Sequence, residues 1–290
     1  KPPAPRQRRA RPQAPRQVLG PQAATAPTGP QSSRTIANRL IAELARSGAA
    51  NRSSAVTIDG RGDVLRERAG ASVVPASTTK LFTTLAALKV VGSSTQLRTE
   101  VRTTKPANGQ VQPGDLYLVG GGDPFLATRH LDALAAAIRA KGITRVTGAL
   151  VVDDYRYDRQ VRGPGWKTSY VPDESGPLSA LAVDRNTWRK DARYIADPGM
   201  GNLGKFRAAL TKHGISTAGK PRRDRTPAGF RVLAVHYSAS LTAMVTTVNK
   251  KSDNFAAELL LKEVGFRARG TGSTAAGVAA ATSALRNMGV

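Results

Sequence analysis

From Thr35 onward, apolar residues recur with helical or strand periods. Ile36, Leu40, Ile41 and Leu44 are spaced by threes and fours, which predicts a helix that Ser47-Gly48 ends. Ala55-Val56-Thr57-Ile58 reads as a strand, Asp59-Gly60-Arg61-Gly62-Asp63 as a turn and Val64-Leu65 as its hairpin partner. Pro75-Ala76 leads into a helix carrying Leu81, Leu85, Leu88 and Val91, closed by Gly92. Residues 93–235 alternate short strands with turns. Within them lie a strand at Leu116-Tyr117-Leu118-Val119, a glycine run at Gly120-Gly121-Gly122, a helix over 129–141 and a strand over 149–152. Gly163-Pro164-Gly165-Trp166 and 220–229 read as loops. From Tyr237 the helical period returns through Leu241, Met244, Val245 and Val248, and then from Phe255 to Val264. Gly270-Thr271-Gly272-Ser273 caps a last Ala-rich helix, and no internal repeat is present.

Residues 1–34 break this pattern. They hold eight of the 18 prolines, seven basic residues and no acid, and the first Glu is Glu43. Proline forbids helix, the arginines repel one another and little apolar surface is available to bury. A disordered, partly polyproline-like tether is expected. The chain carries 44 Lys and Arg against 20 Asp and Glu, a net charge of +24. Such a balance attracts polyanions: nucleic acid, an anionic membrane surface or acidic wall polymers. Only 5% of residues are aromatic, and no stacking motif interleaves with the basic residues. This argues against a specific nucleic-acid partner and leaves the basic tail as a possible contact for an anionic polymer or membrane surface. Cysteine is absent, which removes disulfides, thiolate catalysis and Cys-ligated zinc. His130, His213 and His236 lack any His-x-x-x-His spacing, so neither a Ser-His-Asp triad nor a histidine metal site is expected.

Ser77 is the only serine with a lysine three residues on, Lys80. One such pair is about what chance supplies in a chain of this length, so its setting decides its weight. Both residues fall in the first turn of a helix whose apolar positions mark it as largely buried, and positions i and i+3 share a face. The helix N-terminus offers free N–H groups and positive potential to a developing anion. A lysine held among apolar neighbours can lose its proton near neutrality and act as a base. A second polar group, Ser252-Asp253-Asn254, is the only Ser-x-Asn in the chain and lies between two apolar helical segments. Read alone, either motif is equally a helix cap.

Together, Ser-x-x-Lys followed by Ser-Asp-Asn is the paired signature of penicillin-recognising serine enzymes. More narrowly, the chain resembles the D-Ala-D-Ala carboxypeptidase/endopeptidase family of low-molecular-mass penicillin-binding proteins, which carries a large insertion between the two motifs. The resemblance rests on Pro75-Ala76-Ser77-Thr78-Thr79-Lys80-Leu81, Leu118-Val119-Gly120-Gly121-Gly122-Asp123-Pro124, Gly165-Trp166, Leu178-Ser179-Ala180-Leu181 with Asp184-Arg185-Asn186, and Val248 to Asn254 followed by Ala257-Glu258. The match runs in order from about residue 36 to the end. The motif serines stand 175 residues apart, leaving room for an inserted domain that class A β-lactamases lack.

The resemblance implies an α+β fold, a penicillin-binding transpeptidase-type (β-lactamase-like) domain over 35–92 and 236–290 with an inserted β-rich domain at 93–235. It implies that Ser77 attacks the carbonyl of the penultimate D-alanine of a peptidoglycan stem peptide. Lys80 takes the serine proton, Ser252 relays a proton to the departing D-alanine amine, and Asn254 holds the substrate amide or fixes Lys80. The Ser77 N–H is one oxyanion donor, and β-lactam antibiotics would acylate the same serine. Asp253 is given no chemical role and is expected to cap the helix that begins at Asn254. Trp166 and Asp173-Glu174 are candidate contacts for the stem peptide. Neither metal nor organic cofactor is implied, and the site of action is extracytoplasmic, whether secreted, periplasmic or wall-associated. The family's third motif, Lys/His-Thr-Gly on a core strand, is not found: Lys167-Thr168-Ser169 falls inside the insertion and Gly270-Thr271-Gly272 opens a helix. The chain is therefore expected to be C-terminally incomplete, its closing strands missing, with residues 1–290 alone aggregation-prone and essentially inactive on D-Ala-D-Ala peptides. Two alternatives stand beside the carboxypeptidase: a DD-endopeptidase cutting peptidoglycan cross-links, and an inactive basic wall-binding protein.

Overall fold

The computed structural model describes residues 33–49, 55–59, 62–67, 74–188 and 194–290. The chain divides into two compact units between Val74 and Pro75. Most of the expected tether lies outside the described residues; only its last two positions, Ser33 and Arg34, are described, and they open a helix. In the first unit that helix is α1 (Ser33–Arg46), and β1 (Ala55–Asp59) pairs antiparallel with β2 (Gly62–Glu67). Gly48, at φ 70, ends α1 as expected, and the Ser47 hydroxyl donates to the Leu44 carbonyl at 3.1 Å.

The second unit opens with a 3-10 turn, Ala76–Thr78, that runs into α2 (Thr79–Val91). Then follow β3 (Gln96–Thr103), β4 (Val111–Gln112), β5 (Leu116–Val119), α3 (Thr128–Ala140), β6 (Arg145–Val146), β7 (Leu150–Asp153) and the single turn α4 (Tyr170–Asp173). The chain continues through α5 (Pro198–Lys212), β8 (Ser216–Thr217), β9 (Arg222–Arg223), β10 (Arg231–Ser240), α6 (Leu241–Lys251), α7 (Asn254–Arg269) and α8 (Thr274–Arg286). A five-stranded sheet has the order β10-β3-β5-β7-β9, antiparallel at β10-β3-β5 and parallel from β5 to β9. A small parallel sheet joins β4, β6 and β8. Three of the four residues in both β5 and β7 are buried, as parallel strands covered on two faces require.

Two cores result. One packs α3 and α5 against the larger sheet through Val101, Leu118, Leu134, Ile138, Phe206 and Leu210. The other joins α2, α6, α7 and α8 through Ala86, Ala87, Met244, Val248, Leu260 and Val264. The β3–β10 ribbon runs from one to the other: Leu97 belongs to the helical core, Val101 and Ala234 to the sheet core.

The structure corrects four local readings. Residues 237–240 are strand, not helix: Tyr237 pairs with Arg98, Ser240 with Gln96, and the Leu97 N–H donates to the Ser238 hydroxyl at 2.8 Å. Ser240 caps α6 by accepting from the Ala243 N–H. Arg222–Arg223, read as loop, forms β9 through parallel pairing with β7, and Arg223 pairs with Asp154 at 3.0 Å. Between 93 and 235 the strands share the space with a helix the periodicity did not single out, α5, capped by Asp197 and opened by Pro198. Finally, α2 is only half-buried. Its small residues Thr84, Ala86 and Ala87 face inward, while Leu81 is 55% exposed, and Phe82 and Leu85 are exposed as well.

The glycine run has a steric cause. A Cβ on Gly121 would stand 1.9 Å from the Arg98 carbonyl oxygen, and Gly122 adopts φ 84 against the Tyr157 ring. These positions let the loop after β5 pass directly beneath β3, where the Gly122 N–H donates to the Ala180 carbonyl at 2.8 Å.

Candidate active site

Ser77 sits in the centre of the 3-10 turn, ahead of α2 itself. Ala76 before it takes φ 45, a left-handed conformation costly for a residue with a Cβ. The turn is held by the Thr78 N–H donating to the Pro75 carbonyl at 3.0 Å and the Thr79 hydroxyl to the Ala76 carbonyl at 2.8 Å. Lys80 lies in the first turn of α2, and its Nζ reaches Ser77 Oγ at 3.0 Å.

Ser252 arrives from the other side. It is the left-handed C-cap of α6, φ 53 and ψ 42, with its N–H on the Val248 carbonyl. Asp253 is the N-cap of α7 and accepts from the Ala256 N–H at 3.0 Å, the capping role read from the sequence. The polar tripeptide is thus the hinge between two helices, ending one and beginning the next. This turns Ser252 Oγ toward Lys80 Nζ, at 3.4 Å. Asn249, one turn earlier, bonds Thr84 of α2 at 3.2 Å and ties α6 to the helix that bears Lys80. Ser77, Lys80 and Ser252 therefore converge on one amine, although the motifs lie far apart in sequence.

Asn254 makes no hydrogen bond to Lys80. Its amide donates to a Glu174 carboxylate oxygen at 3.2 Å. Trp166 and Glu174 both line a pocket of about 470 Å³ together with Ser77, Lys80, Tyr170 and Glu258. Trp166 meets Tyr170 edge-on at 6.1 Å between ring centroids. The side chain of Asp173 lies outside the described ones.

Burial pushes the Lys80 amine below the ordinary lysine value, against the pull of the Asp253 and Glu174 carboxylates. Burial alone would raise the Asp253 carboxyl, but the Arg185 guanidinium and the Ala256 N–H hold it below the usual range. Arg185 grips Asp253 with both terminal nitrogens, at 2.7 and 3.1 Å. Arg185 belongs to the Asp184-Arg185-Asn186 stretch that carries the family resemblance, and no local signal connects it to a residue 68 positions away. Two of the three histidines, distant in sequence, stack: His130 and His236 have ring centroids 4.1 Å apart. They lie beside Asp123, whose carboxylate is 3.6 Å from His236 Nε2. Among the described residues no helix is long and apolar enough to cross a membrane.

The sequence profile of the D-Ala-D-Ala carboxypeptidase 3 (S13) family matches residues 38–202 and 189–290. A D-alanyl-D-alanine carboxypeptidase of Actinomadura sp. (strain R39) is 28% identical over 297 residues, covering 76% of this chain and 55% of its own length. The crystal structure of penicillin binding protein 4 from Haemophilus influenzae is 21% identical. It aligns with a TM-score of 0.71 over 79% of this chain and 65% of that one. The same protein complexed with a β-lactam gives 0.66 at 19% identity, over 86% and 70%. The chain spans about half the length of the curated relatives it matches. The structural likeness confirms the α+β, penicillin-binding type of fold read from the paired motifs. By the match of the profile across nearly the whole chain after the proline-rich segment, this protein belongs to the D-Ala-D-Ala carboxypeptidase 3 (S13) family.

Proposed function

We propose that this protein is a serine-type D-Ala-D-Ala carboxypeptidase that acts outside the cytoplasm on peptidoglycan stem peptides and is acylated by β-lactams at the same serine. The observation that carries this reading is the Lys80 amine within hydrogen-bond reach of both Ser77 and Ser252. In its neutral form Lys80 accepts the Ser77 proton as Oγ bonds to the carbonyl carbon of the penultimate D-alanine. The oxygen that gains charge faces the Ser77 N–H, one of the first-turn amides with no carbonyl a turn earlier to accept it. Collapse of the adduct breaks the peptide C–N bond. The proton held on Lys80 passes through the Ser252 hydroxyl to the departing amine, leaving an acyl-serine that water hydrolyses. Asn254 accepts or donates to the substrate amide once Glu174 yields its carboxamide. Residues 93–235 act as the inserted domain and bring Trp166 and Glu174 to the mouth of the site.

The lowered pKa of Lys80 gives this scheme a pH signature. The amine is a base only when deprotonated, so acylation rises with pH, and its midpoint falls below the ordinary lysine value. Stopped-flow acylation by a fluorescent penicillin, followed from about pH 5 to about pH 10, reads this limb directly. A rate that stays flat or falls across the range would exclude Lys80 as the base.

A further inference from the structure

Three consecutive residues with side chains, Asp184, Arg185 and Asn186, take positive φ of 49, 56 and 60. Such a run is unfavourable residue by residue and persists only where the surroundings hold it. Two of the three side chains do that holding. Asp184 accepts from the Thr128 N–H at 3.0 Å and from Lys205 at 3.3 Å. Asn186, fully buried, donates to the Pro177 carbonyl at 2.6 Å and accepts from Asn202 at 2.6 Å. The third, Arg185, takes no part in fixing its own loop. It reaches across to the start of α7, where its fork closes on the Asp253 carboxylate and its plane lies 4.9 Å over the Phe255 ring. Asp253 in turn stands between Ser252 and Asn254, and its charge acts on Lys80.

We propose that Arg185 is a positioning residue for acylation: its two-pronged pair with Asp253 locks the Ser252–Asn254 hinge and shields Lys80 from the Asp253 carboxylate. The proposal rests on the carboxypeptidase reading above. A guanidinium suits this task because its planar fork fixes the carboxylate's orientation as well as its charge, which an ammonium does not. Among the described residues, the carboxylates around Lys80 are Asp253, which caps α7, Glu174 from the segment after α4, and Glu258 one turn further along α7 in the same pocket. With Arg185 gone, the Asp253 carboxylate loses the cation paired with it, so the Lys80 proton is held more tightly.

The test compares Arg185→Gln, Arg185→Lys, Asp253→Asn and the double variant Arg185→Gln/Asp253→Asn in the full protein. Two quantities are read: the pH midpoint of Lys80, from competitive amine labelling and mass spectrometry of its peptide, and the acylation rate with a fluorescent penicillin. In Arg185→Gln the midpoint should rise and acylation near neutral pH should fall about tenfold, as a shift of one pKa unit implies. Adding Asp253→Asn should bring the midpoint back down. Arg185→Lys should hold the midpoint while slowing acylation, since charge remains and the fork is lost. A merely structural Arg185 would lower the melting temperature and leave the Lys80 midpoint where it was, and that result would overturn the proposal. So would a raised midpoint that persists in the double variant. Because amine labelling needs no turnover, a wild-type protein that no penicillin acylates would sink the functional reading while the Lys80 midpoints still decide the role of Arg185.

Discussion

In the full-length protein a fluorescent penicillin will form a covalent label, and Ser77→Ala will abolish it. The loss is complete because the bond-forming atom is gone: Ser252, 3.4 Å from the Lys80 amine, is assigned the relay of a proton and not the attack. Lys80→Ala will keep the nucleophile but remove its base. Acylation should fall by about 10²–10⁴-fold, the usual contribution of a positioned general base. The two variants separate the roles: one loses the adduct, the other only the rate at which it forms. Both are read on a denaturing gel, the second as a time course. Labelling that survives in Ser77→Ala would move the nucleophile elsewhere.

The second large effect concerns stability and lies away from the pocket. Glu263 on α7 is wholly buried and accepts from Arg156 at 2.6 and 2.8 Å, from the Tyr157 hydroxyl at 3.0 Å and from Arg267 at 2.8 Å. Arg156 also lies 4.0 Å over the Phe266 ring. This cluster fastens the segment after β7 to the helical core. Glu263→Ala leaves the Arg156 guanidinium and a buried phenol without their acceptor and opens a cavity. Removing one partner of a buried ion pair costs on the order of 3–5 kcal/mol. For a domain of this size that lowers the melting temperature by on the order of 10 °C, measurable by calorimetry. An unchanged melting temperature would show that water or rearrangement replaces the lost acceptor.

The parts of the site that could be read from the sequence are those whose geometry is local. Ser77 and Lys80 are one helical turn apart, so their contact follows from spacing alone. Ser252-Asp253-Asn254 breaks an apolar stretch, and a polar break between two helical periods is where a left-handed cap and a new N-cap occur. What the sequence hid depends on pairings across distance. Arg185 meets Asp253 only because Asp184 to Asn186 run left-handed, and Arg is not a residue whose propensity announces that conformation. The contact of Asn254 with Glu174 depends on how residues 163–175 fold back over the pocket. Helix α5 was obscured by Gly199, Gly201 and Gly204, which weaken its local propensity. Two of them are required by packing: a Cβ on Gly199 would meet Asp154 at 2.2 Å, and one on Gly201 would meet Ile195 at 2.3 Å. In α2 a helical period runs through Leu81, Leu85, Leu88 and Val91, but apolar residues also occupy the other faces of the helix. The structure buries its alanines and a threonine and leaves Leu81, Phe82 and Leu85 outward.

The most direct test of the whole account is to locate the acyl group. The full-length protein is incubated with benzylpenicillin, denatured, digested with trypsin and mapped by mass spectrometry. Acylation at Ser77 gives a single adduct with the mass of one intact penicillin, carried by the peptide that ends at Lys80 and placed on Ser77 by fragmentation. An adduct on any other residue, or a protein that remains unmodified, would contradict it.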